Sequence, residues 1–140
     1  MGTIKKKAIV LFSGGLDSML TVRILQRQGI DVEAINIRTQ FACCGKTAGE
    51  MASYLGVQLS VIEADSSYYP VIRNPEFGYG RGANPCVDCR IFMFEIARTR
   101  MVELDAGLVA SGEVLGQRPN SQGRRDLDRI AAQINALGRK

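Results

Sequence analysis

The sequence predicts an α/β protein built on a doubly wound, mainly parallel sheet with flanking helices. Two observations carry that reading. Ala8-Ile9-Val10-Leu11-Phe12 is a continuous apolar run, the mark of a strand covered on both faces. After it, strand-like runs alternate with segments whose apolar residues recur at helical spacing. That order lays parallel strands side by side, with crossover helices between them.

Each element follows from its pattern. Leu16, Leu20 and Ile24 fall at i, i+4 and i+8, the core-facing stripe of a first helix that Gly29 closes. Val32–Ile37 reads as a second strand. Ala48, Met51, Ala52 and Leu55 mark a helix ended by Gly56, and Val57–Ile62 a third strand. From Asp65 to Pro85 there is no periodicity, only Tyr, Pro, Gly, Asn and Arg among scattered apolar residues. Ile91, Phe94, Ala97, Met101 and Leu104 make the stripe of a long helix, Leu108-Val109-Ala110 a short buried strand. Leu127, Ile130, Ala131, Ile134 and Leu137 mark a last helix. With 140 residues, no internal repeat and no linker, the expectation is one domain over 1–140.

Composition narrows the classes. At 46% hydrophobic and 23% charged residues, the chain is that of an ordinary globular domain, and no apolar run approaches bilayer length. No membrane partner is expected. The basic start MGTIKKKAIVLF runs directly into Ser-Gly-Gly without a small-residue cleavage site, so it reads as a strand, not an export signal. The expected compartment is therefore the cytoplasm, where the four cysteines are thiols or metal ligands. A net charge of +4 is compatible with a nucleic-acid partner without requiring one. There is no histidine, so any general base or metal ligand is Asp, Glu, Cys, Lys or Tyr.

In such a sheet the ligand crevice lies beyond the carboxyl ends of the strands. The ends of the first, second and fourth strands are Ser13-Gly14-Gly15, Arg38-Thr39-Gln40 and Ser111-Gly112-Glu113. Glycines after the first strand let backbone N–H groups approach an anion. The helix starting near Asp17 turns its positive end to the same place, and Ser13 and Ser18 add hydroxyls. A plain strand-to-helix turn capped by Asp17 or Ser18 is the competing reading. The loop is not G-x-G-x-x-G. "CCGKT" at 43–47 is not a Walker A loop either, because position 40 is Gln where that motif needs Gly.

Ser13-Gly14-Gly15-Leu16-Asp17-Ser18 resembles the SGGxDS signature of the PP-loop ATP pyrophosphatases. "NPCVDCRIFMF" at 84–94 is similar to the Asn-Pro-x-x-x-Cys segment of bacterial tRNA 2-thiouridylases. "SGEVLGQRPNSQ" at 111–122 is similar to the Gly-Glu-x-Leu-Gly-Gln segment of tRNA 4-thiouridine synthases. The resemblance implies an adenine-nucleotide α-hydrolase-like, Rossmann-like fold and a single PP-loop ATP-binding domain, minimal or truncated beside full-length members. It implies ATP-dependent sulfur insertion into tRNA uridine, by adenylation of the base carbonyl and then sulfur transfer with release of AMP and pyrophosphate. The alternative it leaves open is a sulfurtransferase or amidating ligase acting on a small molecule. On this resemblance ATP is bound by Ser13, Gly14, Gly15, Asp17, Ser18, Ile37, Arg38, Gly112 and Gln117, with Mg²⁺ on the phosphates. Asp17, Cys86 and Cys89 are the catalytic candidates. The implied partners are tRNA, a sulfur donor protein or sulfide, and an RNA-binding partner or a second copy of the chain.

The cysteines form two pairs, Cys43-Cys44 and Cys86-x-x-Cys89, the second ahead of a helix whose N-terminus lowers a thiol's pKa. They fit catalytic thiols carrying a persulfide, an iron–sulfur cluster, a structural zinc on all four, or inert buried thiols. Zinc is disfavoured because the adjacent Cys43-Cys44 pair suits a tetrahedron poorly. Relatives with Cys at the place of Cys86 tend to be cluster users, which favours a cluster on Cys44, Cys86 and Cys89. The aperiodic segment interleaves Tyr68, Tyr69, Phe77 and Tyr79 with Arg73 and Arg81, a composition able to stack on bases and pair with phosphates. The competing reading is that its aromatics pack the segment onto a core. Arg81, Arg118 and Arg124 are the principal RNA-contact candidates, with Arg73, Arg90 and Arg125 beside them on a basic surface.

Overall fold

The computed structural model describes residues 6–40, 47–119 and 121–137. Cys43 and Cys44 lie outside them. Four strands, β1 (Lys7–Leu11), β2 (Asp31–Arg38), β3 (Gln58–Glu63) and β4 (Leu108–Ser111), form one sheet in the order β3-β2-β1-β4, and every pairing is parallel. The helices are α1 (Leu16–Arg27), α2 (Thr47–Leu55), α3 (Tyr69–Arg73), α4 (Cys86–Glu103) and α5 (Arg124–Leu137). This is the doubly wound parallel sheet that the pattern predicts. The strand order reverses direction between β1 and β4, where such sheets bind their ligands.

The described residues group into two compact units: Met1–Ala64 with Ile96–Gly112, and Asp65–Glu95 with Glu113–Lys140. The first holds the whole sheet. Val10, Phe12, Val32 and Ala34 pack with Val22 of α1 and with Ala48, Ala52 and Leu55 of α2 to form its core. Side chains alternate along a strand, so Ile9 and Ile35 point to the opposite face, and both are fully buried. Glu33 shares that face. Its Oε1 accepts from Arg100 of α4 at 3.0 and 3.2 Å and from the Ser60 hydroxyl at 2.8 Å, which is how a buried strand carries a carboxylate.

One expectation is corrected. The Leu16, Leu20, Ile24 stripe of α1 faces solvent, at 70%, 49% and 55% exposure. The buried face carries Ser18 and Val22, with Met19 and Leu25 packed against the core. Both faces of α1 have apolar residues at helical spacing, and the inward one is disguised by a serine. The face of α1 that turns inward is the one whose Val22, Met19 and Leu25 pack on the core. In α2, whose only apolar stripe is Ala48, Met51, Ala52 and Leu55, that stripe is the one that packs inward.

The second unit has no strand among its described residues. Its aperiodic segment contains short helical turns at Ser66–Tyr68 and Arg81–Ala83, with α3 between them. These turns are too short for a helical period to be visible in sequence. Asp65 caps the first turn by accepting from the Ser67 amide, and Pro70 supplies the fixed φ at the start of α3.

Candidate functional sites in the two units

The loop of the first unit follows β1 at the reversal point. The N-cap of α1 is Gly15, and no side chain caps the helix, so neither Asp17 nor Ser18 plays the capping role. Ser18 is instead buried, and its hydroxyl donates to the Gly15 carbonyl at 2.8 Å. The Gly15 amide donates to the exposed Ser13 hydroxyl at 3.2 Å. Uncapped first-turn amides, aligned with the positive end of α1, are an anion-binding arrangement.

Two of the glycines are required by packing. Gly14 has φ +83°, and a Cβ there would lie 2.9 Å from the Ala48 Cα at the start of α2. A Cβ on Gly112 would lie 2.7 Å from the Asp17 carbonyl carbon and 2.8 Å from the Ser18 nitrogen. The loop is thus held between the α2 start and the turn after β4. Gly15 is different. Its φ is −77°, and a Cβ would meet only the Ser13 hydroxyl, at 3.4 Å. The scaffold would accept alanine there.

The end of β2 carries two more of the residues singled out by sequence. Ile37 is buried and Arg38 half-exposed, its Nη1 3.6 Å from the Glu63 carboxylate. Beside them the buried Asn36 donates from Nδ2 to the Phe12 carbonyl at 2.8 Å, which fixes the last peptide before Ser13.

In the second unit, Cys86 and Cys89 occupy the first turn of α4, three residues apart and both half-buried. The Tyr68 hydroxyl donates to the Cys89 sulfur at 3.2 Å. Burial pushes the Cys89 thiol above its ordinary range, and the Tyr68 hydrogen bond and the Arg90 charge offset this only in part. This corrects the expectation that the helix start would lower it: the side chain is packed rather than turned to water. Between the two cysteines, Asp88 accepts from the Glu76 and Phe77 amides at 2.7 and 3.1 Å and ties the irregular segment to α4.

The basic residues separate into two kinds. Arg73, Arg81, Arg118, Arg124 and Arg125 are exposed. Arg90 is not a free cation. Its Nε lies 2.8 Å from Glu113, whose other oxygen accepts from Gln122 at 2.7 Å. The aromatics divide likewise. Tyr68 is buried, Tyr79 donates to the carbonyls of Ile72 and Arg73, and the Arg129 guanidinium lies 5.6 Å from the Phe77 ring centroid.

Residues 6–134 match the family described as the tRNA methyl transferase HUP domain. The chain belongs to that family. Among its curated relatives are the tRNA-specific 2-thiouridylase MnmA of Azorhizobium caulinodans, 30% identical over 142 residues, and that of Acidithiobacillus ferrooxidans, 27% identical over 128. The matches cover 89% and 84% of this chain but 36% of each relative, so it spans about a third of their length. A 4-thiouridine synthetase solved with RNA and bound ATP shares the fold at a TM-score of 0.67. It is 22% identical, over 91% of this chain and 34% of that one. The PP-loop resemblance read from the sequence thus holds for this HUP domain.

Of the residues singled out by sequence, Ser13, Gly14, Gly15, Asp17, Ser18, Ile37, Arg38 and Gly112 all fall in the first unit. Gln117 does not. It belongs to the second unit, in an exposed turn after β4, together with Cys86, Cys89, Arg81, Arg118 and Arg124. Among the described residues no three His, Cys, Asp or Glu side chains gather in a metal-binding group. No helix among them is long and apolar enough to cross a membrane. Sequence reasoning passed over Tyr68 as a partner of Cys89, and it passed over Asp88, Glu113, Gln122 and Asn36. Asp88 lies within the Asn-Pro segment, and Glu113 and Gln122 within the Gly-Glu segment, while Asn36 carried no signal.

Proposed function

We propose that this HUP domain adenylates a tRNA uridine carbonyl with ATP and passes sulfur to the activated carbon. The observation that carries the reading is the Ser13–Ser18 loop: an uncapped helix start, with Gly14 and Gly112 pressed against neighbouring backbone and Gly15 left open. Family membership and the thiouridylase relatives support the substrate class.

A uridine carbonyl oxygen is a poor leaving group. Its attack on the α-phosphate forms a P–O bond and expels pyrophosphate, which the first-turn amides of α1 and the Gly15 backbone are arranged to hold. Hydrosulfide (HS⁻) then adds at the activated carbon, its proton is lost to solvent, and AMP departs with the original oxygen. Asp17, in the first turn of α1, would hold a Mg²⁺ ion, which would supply positive charge against the phosphates as pyrophosphate leaves. Ile37 and Arg38 border the adenine side, and Gly112 the ribose side. Cys86 and Cys89 are the sulfur-handling thiols. Toward an iron–sulfur cluster they offer two ligands, short of the three such a site needs, and Cys44 lies outside the described residues. The exposed Arg81, Arg118 and Arg124 are the RNA contacts.

The test is to incubate the chain with ATP, Mg²⁺, bulk tRNA and sulfide, and to measure pyrophosphate, AMP and thiolated nucleosides. All three products are expected with wild type, and none with Asp17→Ala at unchanged thermal stability. Pyrophosphate release that ignores tRNA but follows a small-molecule acceptor would replace the RNA reading with the alternative.

A further inference from the structure

The polar network of the second unit is unfinished on one side. Arg90 Nε and Gln122 Nε2 each take one oxygen of Glu113, at 2.8 and 2.7 Å, and Gln122 is 4% exposed. A carboxylate only accepts, so the amide nitrogen must face Glu113 and the amide oxygen must face away. That oxygen, Oε1, is buried and has no hydrogen-bond partner among the described residues. The backbone leaves it little slack. The Gln122 N–H donates to the Arg118 carbonyl at 2.9 Å, and the Gln122 carbonyl accepts from the Gly116 N–H at 2.7 Å. A buried acceptor left open is costly, and native structures keep one where a ligand or a water completes it.

The group that completes it must bring an N–H or O–H donor. Uracil offers one at N3, on its Watson–Crick edge, where cytosine has a lone pair and nearly the same shape. A fixed acceptor there attracts the first base and repels the second. N3 also lies between C2 and C4, so the contact reads a uridine whichever carbonyl is replaced. The network starts beside a thiol, since Arg90 follows Cys89 in α4, and it ends in the turn that exposes Arg118. The other N–H donor of the reaction, the adenine amine, belongs on the reading above with Ile37 and Arg38 of the other unit. We propose that Gln122 selects the base: its Oε1 accepts the N3–H of the target uridine. Glu113 and Arg90 are positioning residues that keep the amide from turning over. The proposal rests on the uridine reading above, but its test needs neither ATP nor thiolation.

Short RNAs that differ only at one central uridine, 4-thiouridine, cytidine or N3-methyluridine are titrated with the full chain. Binding is read by fluorescence anisotropy at one salt concentration. Wild type is expected to hold the two RNAs that keep an N3–H about tenfold tighter than the two that lack it. Gln122→Met keeps the length and loses the acceptor, and the preference should vanish to within about twofold. Glu113→Gln gives Gln122 a partner that donates as well as accepts. The Gln122 amide is then free to turn over, and the uridine preference should shrink or pass to cytidine. If the network is only structural, with Oε1 filled by a water, wild type binds all the RNAs alike and the proposal falls. It falls also if folded Gln122→Met discriminates as strongly as wild type. Should Gln122→Met not fold, Glu113→Gln decides in the same way. Binding to none of the RNAs removes the uridine reading and this inference together. Otherwise the two separate. A chain that prefers uridine but releases no pyrophosphate with tRNA keeps this inference and loses the proposed function. A chain that thiolates tRNA but binds the uridine and cytidine RNAs alike does the reverse.

Discussion

The two units solve the same problem, holding reactive geometry still, by different means. The first does it with apolar burial. Ile9, Val10, Val22 and Ile35 have essentially no exposed surface, and its loop is trapped by backbone pressed on backbone at Gly14 and Gly112. The second relies on polar ties: Asp88 to two amides, Tyr79 to two carbonyls, Glu113 between Arg90 and Gln122. Aliphatic packing gives a loop whose shape hardly depends on solvent. Polar ties on an irregular segment are individually weaker and nearer to opening, and binding surfaces are commonly built that way.

The comparison can be broken first at its centre. Ile9→Ala removes a fully buried side chain from the sheet, and a loss of about 3 kcal/mol is expected in urea unfolding. Asp88→Ala in the second unit should cost less, about 1–2 kcal/mol, and should do so locally. Hydrogen exchange at the Glu76 and Phe77 amides is expected to rise while exchange in β1 and β2 stays as it was. Equal costs, or exchange that rises everywhere, would mean that the second unit has no separate polar fastening.

A finer test lies within the loop. Gly14→Ala forces a left-handed backbone and a clash with the α2 start, and should destabilise the chain by about 2 kcal/mol or more. Gly15→Ala, one residue on, is expected to leave the melting temperature within experimental scatter and to weaken ATP binding, measured by calorimetry, by tenfold or more. Normal ATP affinity in Gly15→Ala would remove the close backbone approach from the site.

The smallest effect concerns the exposed cap that starts the turn leading to Tyr68. The Ser67 hydroxyl and amide hold the Asp65 carboxyl below the usual carboxylate range. A carboxylate whose folded pKa is lowered contributes stability above the unfolded value, and that contribution disappears as pH falls through the folded one. Asp65→Asn should therefore narrow the stability difference between pH 6 and pH 3 slightly, as read from melts at the two pH values. An unchanged difference would take the cap out of the fastening of this unit.

Much was legible without coordinates, because the signals were local. Strand runs, the α2 stripe and the Ser13–Ser18 loop each declare themselves within a dozen residues, since a backbone's period and a glycine's freedom are properties of neighbours in sequence. The tertiary structure decided what neighbours cannot. It turned the Leu16, Leu20, Ile24 stripe outward, because Val22, Met19 and Leu25 of the opposite face pack on the core. It spent Arg90 on Glu113, 23 positions away, and left Arg118 and Arg124 exposed, though a charge count treats the three alike. It also gave Cys89 a buried tyrosine partner 21 positions away in sequence, while Cys86 kept the same motif and a different environment. Sequence alone therefore determined the sheet, its order of elements and the Ser13–Ser18 loop. Which chemically equivalent residue does the work was decided by long-range packing, because burial and hydrogen-bond partners depend on distances between segments that no local period records.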